Sequence, residues 1–384
     1  MNAMNDLLTK MSSLQWSSTS VGFVVGVSSV TMTHHSRSRV CSRTNTSDTR
    51  KSTIRLLSSK VNQTTISKET TPISRIPSEL ISAIQEPAAR SILENIHYIS
   101  VDMNGTDLLT SYVDLSSSNT DPNLPPLIFL PGFDSSVLEF RRLAPLLQKT
   151  CKHRIILLDL IGLGFTERKL MKGVLDYGPN GKRLHIMNFI DALFEKNKDQ
   201  KVILCGGSLG GSSAIDFTLE NPDRVSKLIL IDAQGFIDGN GSRFLFSPLD
   251  KLGAMVLKSV WLRNIANKIA YFDKKKYATL DAMNIGRLHC FCEFWEECTL
   301  EFIKSGGYKL SKYISQIDVP TLLLWGQQDE ILSINYLDQF EKELCHLKEN
   351  NQLEAHRIEK CGHVPHLEQS QYTADAILNF LTSQ

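Results

Sequence analysis

Near the middle of the chain runs the segment Lys201-Val-Ile-Leu-Cys-Gly-Gly-Ser-Leu-Gly-Gly-Ser-Ser-Ala214. Its first half is an unalternating, β-branched apolar run, which is typical of a strand buried on both faces, and its second half can continue as a helix. The pattern Gly206-Gly-Ser-Leu-Gly210 between them predicts a turn so tight that a side chain at either outer glycine would collide with backbone. This turn predicts that Ser208 is a nucleophile held in a strained conformation.

Strands and helices alternate on both sides of this segment. An Asn-Gly pair at Asn104 predicts a hairpin between two opening strands, and a third strand is predicted to end at Pro131-Gly132-Phe133. Further strands are predicted over 154–159, 228–232, 321–325 and 355–358, and helices over 136–149, 184–195 and 366–382. Because helices separate the strands, the chain is predicted to be an α/β protein with a mostly parallel, twisted sheet and helices on both faces.

The first part of the chain differs from the rest in composition. It is crowded with Ser and Thr, carries seven basic residues between Arg37 and Lys60, and contains only Asp6 and Asp48 as acids before Glu69. Residues 1–72 are therefore predicted to be a plastid transit peptide and disordered linker, which places the protein in the chloroplast. A mitochondrial presequence, or a secretory signal around residues 21–27, is the alternative.

Residues 73–384 are long enough for one large domain with an insertion. The whole chain has 384 residues and a formal net charge of +1, so no basic surplus favours a nucleic-acid partner. A transmembrane helix needs about 20 consecutive apolar residues, and no such run is present, which leaves peripheral contact with a membrane open.

An apolar, helix-like segment at about residues 237–315 interrupts the alternation of strands and helices. An insertion at this place would form a cap over the carboxyl ends of the strands, where open α/β sheets bind ligands. Its composition predicts a lipophilic small-molecule substrate, whereas the alternative is a helical hairpin that packs only on itself. The residues of this pattern are Met255, Val256, Leu257, Trp261, Leu262, Ile265, Ile269, Phe272, Phe291, Phe294, Trp295 and Phe302.

The cysteines do not suggest a disulfide scaffold. Seven of the eight follow the predicted leader, which is an odd number without regular spacing. The motif His289-Cys-Phe-Cys292 could be a metal site, but zinc sites usually pair such a motif with a second one, so buried thiols are the alternative. Neither a metal nor a cofactor is predicted.

Two further polar residues follow predicted strands, namely Asp329 in Gly-Gln-Gln-Asp and His363 in Cys-Gly-His. A serine hydroxyl becomes a good nucleophile when an imidazole removes its proton, and a carboxylate fixes the tautomer of that imidazole. Ser208, Asp329 and His363 are therefore the predicted catalytic residues, with Glu330 and His366 as rivals for the acid and the base. The backbone N–H groups of Phe133 and Leu209 are the predicted oxyanion hole.

Five motifs in this order resemble the α/β-hydrolase superfamily, including its plant plastid members, over residues 96–381. They are Pro131-Gly132-Phe133, Asp159-x-x-Gly162-x-Gly164-x-Thr166, Gly206-x-Ser208-x-Gly210-Gly211, Trp325-Gly-x-x-Asp329 and Gly362-His363. The chain departs from the family at Pro131, where His is frequent, and at Ser333, where proline is often found.

The resemblance implies a serine hydrolase that cleaves a carboxylic ester, with a lipophilic substrate such as a prenyl, phytyl or fatty acyl ester. Haloalkane dehalogenases and epoxide hydrolases resemble the chain, but their nucleophile is an aspartate where this sequence has Ser208. Two alternatives stay open: a C–C bond hydrolase or lyase that uses the same triad, and a non-catalytic ligand receptor on the same fold.

Overall fold

The computed structural model describes residues 71–195, 197, 199–239 and 257–382. Except for residues 71 and 72, the predicted transit peptide and linker therefore lie outside the described residues, as do Met255 and Val256 of the predicted cap. None of the helices in these ranges combines the length and the apolar character that a bilayer crossing would need.

The strands form one sheet, and the predicted fold class is confirmed. The strands are β1 (Ile96–Asp102), β2 (Asp107–Asp114), β3 (Leu127–Leu130), β4 (Ile155–Leu158), β5 (Val202–Gly207), β6 (Val225–Ile231), β7 (Thr321–Gly326) and β8 (Leu353–Ile358). They lie in the order β1-β2-β4-β3-β5-β6-β7-β8. The pairs β1–β2 and β2–β4 are antiparallel and all others are parallel. The predicted Asn-Gly hairpin joins β1 to β2, with positive φ at Asn104 and Gly105.

Helices cover both faces of the sheet. They are α1 (Ser78–Ser82), α2 (Pro87–Glu94), α3 (Ala144–Gln148), α4 (Pro179–Leu193), α5 (Leu209–Glu220), α6 (Val260–Ala270), α7 (Lys274–Tyr277), α8 (Leu280–Arg287), α9 (Trp295–Lys304), α10 (Asn335–Glu343), α11 (Cys345–Glu349), α12 (Pro365–Glu368) and α13 (Ser370–Thr382). Every residue of β3, β4 and β5 is buried, as expected for strands covered on both faces. Alternate side chains of these strands join two apolar clusters, one containing residues of α4 and α5 and the other residues of α3 and α13.

The helix predicted over 136–149 is not continuous. A 3-10 turn runs from Val137 to Phe140, and α3 begins only at Ala144. Pro145 explains the break, because in a longer helix its ring would clash with the carbonyl of Arg141 and it has no N–H to donate. The turn is instead held by Asp159, whose Oδ1 accepts the Val137 N–H at 2.8 Å.

Glycines at the turn between β5 and α5 are required by close backbone contacts. A Cβ at Gly206 would lie 2.3 Å from the carbonyl oxygen of Gly210, and a Cβ at Gly210 would lie 2.0 Å from that of Leu130. Neither neighbour is the end of a flexible side chain, so the backbone itself would have to move. The turn that carries Ser208 therefore tolerates no side chain at these two positions.

We expect Gly210→Ala to destabilise the protein by at least about 3 kcal/mol, in the range of severe core substitutions. Gly286→Ala is the matched control, since Gly286 lies in α8 and a Cβ added there would meet no atom within 4 Å. Alanine there should stabilise the helix by up to about 1 kcal/mol. Denaturant unfolding of both variants measures the difference, and similar stability of the two would contradict the steric argument.

Candidate active site

Ser208 lies between the end of β5 and the start of α5. Its backbone has φ 49° and ψ −118°, which is a strained conformation for a residue with a side chain. Backbone bonds hold it there: its N–H donates to Ile231 O at 3.0 Å, and its carbonyl accepts the N–H groups of Gly211 and Gln234, each at 3.0 Å. The turn therefore fixes Ser208 at the carboxyl edge of the parallel strands, where it lines a cavity.

His363 and Asp329 meet at the same edge of the sheet. Asp329 follows β7 and His363 follows β8, and His363 Nδ1 lies 2.7 Å from Asp329 Oδ2. The second oxygen of Asp329 accepts the N–H groups of Ile331 and Leu332 at 2.7 and 2.9 Å, so the carboxylate is held on both sides. With Nδ1 donating to Asp329, Nε2 of His363 carries the lone pair that can accept a proton.

Electrostatics favour a protonatable imidazole at this position. Burial alone would lower the pKa of His363, but the adjacent Asp329 carboxylate outweighs burial and raises the pKa above its ordinary value. Burial also opposes the charge on Asp329, whereas the interaction with His363 keeps the pKa of that carboxyl below its ordinary value. His363 lines the same cavity as Ser208.

Of the two rival residues, Glu330 pairs with a lysine, and neither ring nitrogen of His366 has a hydrogen-bond partner among the described residues. The Glu330 carboxylate lies 2.7 Å from Lys274 Nζ, and half of its side chain is exposed. His366 is buried in α12, 3.4 Å from Glu139. Burial, with the nearby His363, lowers the pKa of His366 to about 3, so its ring stays neutral at pH 7. Asp329 and His363, and not Glu330 or His366, therefore form the carboxylate–imidazole contact of the site.

Asp232 is a buried residue of this site that sequence reasoning missed. It ends the strand predicted over 228–232, and a carboxylate at the carboxyl end of a parallel strand was the available signal. One carboxylate oxygen of Asp232, one of Asp329 and a ring nitrogen of His363 lie within 4.8 Å of one another. Asp232 Oδ1 accepts the Gly326 N–H at 3.0 Å, and Oδ2 has no donor among the described residues.

The proton of this carboxyl pair resides on Asp232. Burial and the neighbouring Asp329 charge both raise the pKa of Asp232 far above its ordinary range. Two carboxylates this close cannot both be ionised at low energy, and Asp329 is the one that interacts with the imidazole. A protonated Asp232 can then donate a hydrogen bond to Asp329 and hold it in place for His363.

The loop after β3 lies against the nucleophile. A Cβ at Gly132 would be 3.3 Å from Ser208 Cβ, so this loop packs directly against the nucleophile. Phe133 is the next residue of the loop and lines the same cavity as Ser208. Leu209 is the first residue of α5, where backbone N–H groups have no partner within the helix. Neither Phe133 N–H nor Leu209 N–H donates to a backbone acceptor among the described residues.

The cavity above Ser208 has a volume of about 230 Å³. One wall comes from α6 and α8 and is mostly apolar; it includes Ala266, Ala270, Ala282, Met283 and Ile285. The lining also includes Glu139, a second polar residue that sequence reasoning missed. Glu139 accepts the Gly132 N–H at 2.8 Å, and burial raises its pKa.

The motif His289-Cys-Phe-Cys292, considered above as a metal site, lies beside charged side chains that already contact its residues. Asp134, His289 and Cys290 offer atoms within 4.8 Å of one another. Arg263 contacts both Asp134 and Cys290 Sγ, however, and its positive charge opposes a cation there. Burial raises the pKa of Cys290 to about 12, so the sulfur is a thiol and not the thiolate that metals bind. These contacts favour the buried-thiol interpretation.

Comparison with known proteins agrees with the predicted resemblance. A family model described as the alpha/beta hydrolase fold matches residues 125–279. The alpha/beta hydrolase domain-containing protein VTE7 of Arabidopsis thaliana is 32% identical over 315 residues, which cover 80% of this chain and 90% of that protein.

More distant relatives include enzymes of different chemistry. Lipase 1 of Psychrobacter immobilis is 22% identical over 308 residues, which cover 77% of this chain and 91% of the lipase. A crystal structure of the meta-cleavage product hydrolase CumD superposes with a TM-score of 0.57 at 21% identity, covering 75% of this chain and 98% of that one. At this identity, the structural match shows the fold alone.

Proposed function

Because this chain belongs to the alpha/beta hydrolase family, we propose that it is a serine hydrolase that cleaves a carboxylic ester through an acyl-enzyme. The observation that carries the proposal is the 2.7 Å contact between His363 Nδ1 and Asp329 Oδ2 beside the cavity that Ser208 lines. An imidazole oriented by a buried carboxylate next to a strained serine is the arrangement that activates a hydroxyl group for attack.

The reaction proceeds in two steps. His363 Nε2 takes the proton of Ser208 while Oγ attacks the ester carbonyl, and the N–H groups of Phe133 and Leu209 stabilise the negative oxygen that forms. His363 then gives the proton to the leaving alcohol, which departs and leaves Ser208 acylated. Water, deprotonated by the same imidazole, attacks the acyl group, and His363 returns that proton to Ser208 Oγ as the acid is released.

A lipophilic substrate fits the cavity only in part. The apolar wall formed by α6 and α8 suits an alkyl or prenyl chain, and these two helices belong to the segment predicted to be the cap. The volume of about 230 Å³ is below the roughly 300–1,000 Å³ of sites for drug-sized ligands. The cavity therefore holds the reacting ester group and a short adjoining portion of the substrate.

A substrate panel tests the proposed chemistry. We expect the mature protein to react with a fluorophosphonate probe and to hydrolyse p-nitrophenyl esters, with kcat/KM changing with acyl length. The panel should also contain a vinylogous ring-fission diketone, because relatives on this fold break C–C bonds. Turnover of the diketone without ester turnover would replace the ester proposal by the C–C hydrolase alternative.

We further propose that residues 1–72 direct the protein to the chloroplast, on the basis of their composition and of the Arabidopsis relative. A full-length chain fused at its carboxyl terminus to a fluorescent protein should be imported into chloroplasts. The same fusion without residues 1–72 should stay outside them. Mitochondrial fluorescence of the full-length fusion, or secretion, would contradict this assignment.

A further inference from the structure

Asp134 directly follows Phe133, the residue whose N–H is proposed to bind the oxyanion. It has φ 54°, in the left-handed region that few residues with side chains adopt, and its side chain is 8% exposed. Oδ1 of Asp134 accepts hydrogen bonds from His289 Nε2 and Trp295 Nε1, each at 2.9 Å. Oδ2 accepts a further bond from the Arg263 guanidinium. The loop after β3 from residue 131 to residue 134, which we call the oxyanion loop, therefore ends in a buried carboxylate with three side-chain donors.

All three donors come from the segment that lies over the cavity. Arg263 belongs to α6, His289 to the 3-10 turn Leu288–Phe291, and Trp295 is the first residue of α9. We call residues 257–304 the cap segment. The rings of Phe133 and Phe302, which is in α9, also lie 5.7 Å apart. The cap segment thus contacts the oxyanion loop at two consecutive residues.

The network is electrostatically suited to fix the loop. Burial would raise the pKa of Asp134, but Arg263 and the His289 hydrogen bond outweigh it, and the pKa is lowered. Asp134 is therefore an ion, and a buried ion without its donors is strongly unfavourable. Burial lowers the pKa of His289, so its ring is neutral and Nε2–H can donate to Asp134. If the cap segment moved away, the carboxylate would have to turn toward water and the loop would lose its restraint.

We propose that Asp134 is a positioning residue that couples the cap segment to the oxyanion hole. The N–H of Phe133 is held at the site while Arg263, His289 and Trp295 bind the neighbouring carboxylate. When these bonds are absent, the loop relaxes and the oxyanion loses one of its two donors. This inference rests on the proposed ester hydrolysis and adds that the cap segment assembles the catalytic site as well as enclosing the substrate.

The test changes one donor or the acceptor of the network at a time without creating a large cavity. Trp295→Phe deletes Nε1–H and keeps an aromatic ring, and Asp134→Asn removes the charge at nearly constant size. Trp261→Phe is the matched control, since Trp261 lies in α6 but is 64% exposed. The measurements are kcat, KM and the affinity for a trifluoromethyl ketone, which forms a tetrahedral adduct with Ser208 and places an oxygen in the hole.

Removing an oxyanion donor lowers the rate by about 10²–10³, so displacing one should lower kcat by roughly 10–100-fold in Asp134→Asn and Trp295→Phe. KM should stay within about threefold, and the ketone affinity should fall in parallel with kcat/KM, because both depend on the oxyanion. The double variant should lose little more than the worse single variant, since both act through one contact. Trp261→Phe should match wild type.

Two results would overturn the coupling while leaving the proposed function intact. In the first, wild type is active and both variants keep its kcat and ketone affinity, even if their unfolding temperatures fall, which would make the network purely structural. In the second, KM rises with kcat unchanged, which would limit the cap segment to substrate binding. A wild-type protein that neither hydrolyses esters nor binds the ketone would instead refute the proposed function itself.

Discussion

Replacing Ser208 by alanine is expected to lower kcat for ester hydrolysis by about 10⁴–10⁶-fold, the range seen when a triad serine is lost. The physical reason is that no acyl-enzyme can form, so only the oxyanion donors and substrate binding still accelerate attack by water. KM should change little, because the cavity walls remain. Steady-state kinetics at pH 8 with the best ester of the panel measures the loss.

A second substitution shows whether Ser208 and His363 act as one unit. We expect His363→Ala to lower kcat nearly as much as Ser208→Ala, and the double variant to be no slower than either single variant. Ser213→Ala is the matched control, because Ser213 lies in α5, the helix that follows Ser208, and its hydroxyl contacts Tyr308 at 2.7 Å, away from the cavity. Fluorophosphonate labelling of Ser208→Ala equal to that of wild type would show that another residue is the nucleophile.

The central strands and the turn after β5 could be predicted because their causes are local. Strands β3 to β5 are buried on both faces, which requires continuous apolar runs that are visible in the sequence. The glycines flanking Ser208 are likewise required by contacts within a few residues or with an adjacent strand. Helix boundaries were less accurate: α4 begins at Pro179 rather than at 184, and the terminal helix predicted over 366–382 is interrupted at Gln369.

The polar contacts around the site could not be predicted in the same way. Asp134 meets Arg263, His289 and Trp295, which are 129, 155 and 161 residues away in the chain. Such distant pairs leave no periodic pattern in the sequence, because they depend on how the helices after β6 return over the sheet. Asp232 was visible as the end of a strand, but its contact with Asp329 follows from β6 and β7 being neighbours. Sequence pattern identifies the edge of the sheet, whereas the pairing of side chains there requires the three-dimensional structure.

Asp329→Asn should lower kcat by about 10⁴-fold, because an amide can leave the imidazole in the wrong tautomer and cannot stabilise its cation. The pH profile supplies an independent signature. Asp329 raises the pKa of His363, and kcat/KM requires the neutral imidazole, so wild-type kcat/KM should fall as the pH drops through this raised pKa. Without the carboxylate charge, the pKa of His363 should fall, and the acid limb of the profile should move to lower pH.

Asp232→Asn is the variant to compare with Asp329→Asn. Asp329 is predicted to act as the ionised carboxylate and Asp232 as the protonated hydrogen-bond donor. Asp232 carries the proton, and the amide of asparagine reproduces that donor, so kcat should stay within about tenfold of wild type with an unshifted acid limb. Asp232→Leu removes the donor and should lower kcat further than Asp232→Asn. Glu330→Gln, which breaks only the contact with Lys274, should leave both kcat and the profile unchanged. If Asp232→Asn lost about 10⁴-fold in kcat while Asp329→Asn stayed active, Asp232 would be the acid that serves His363 and Asp329 its support.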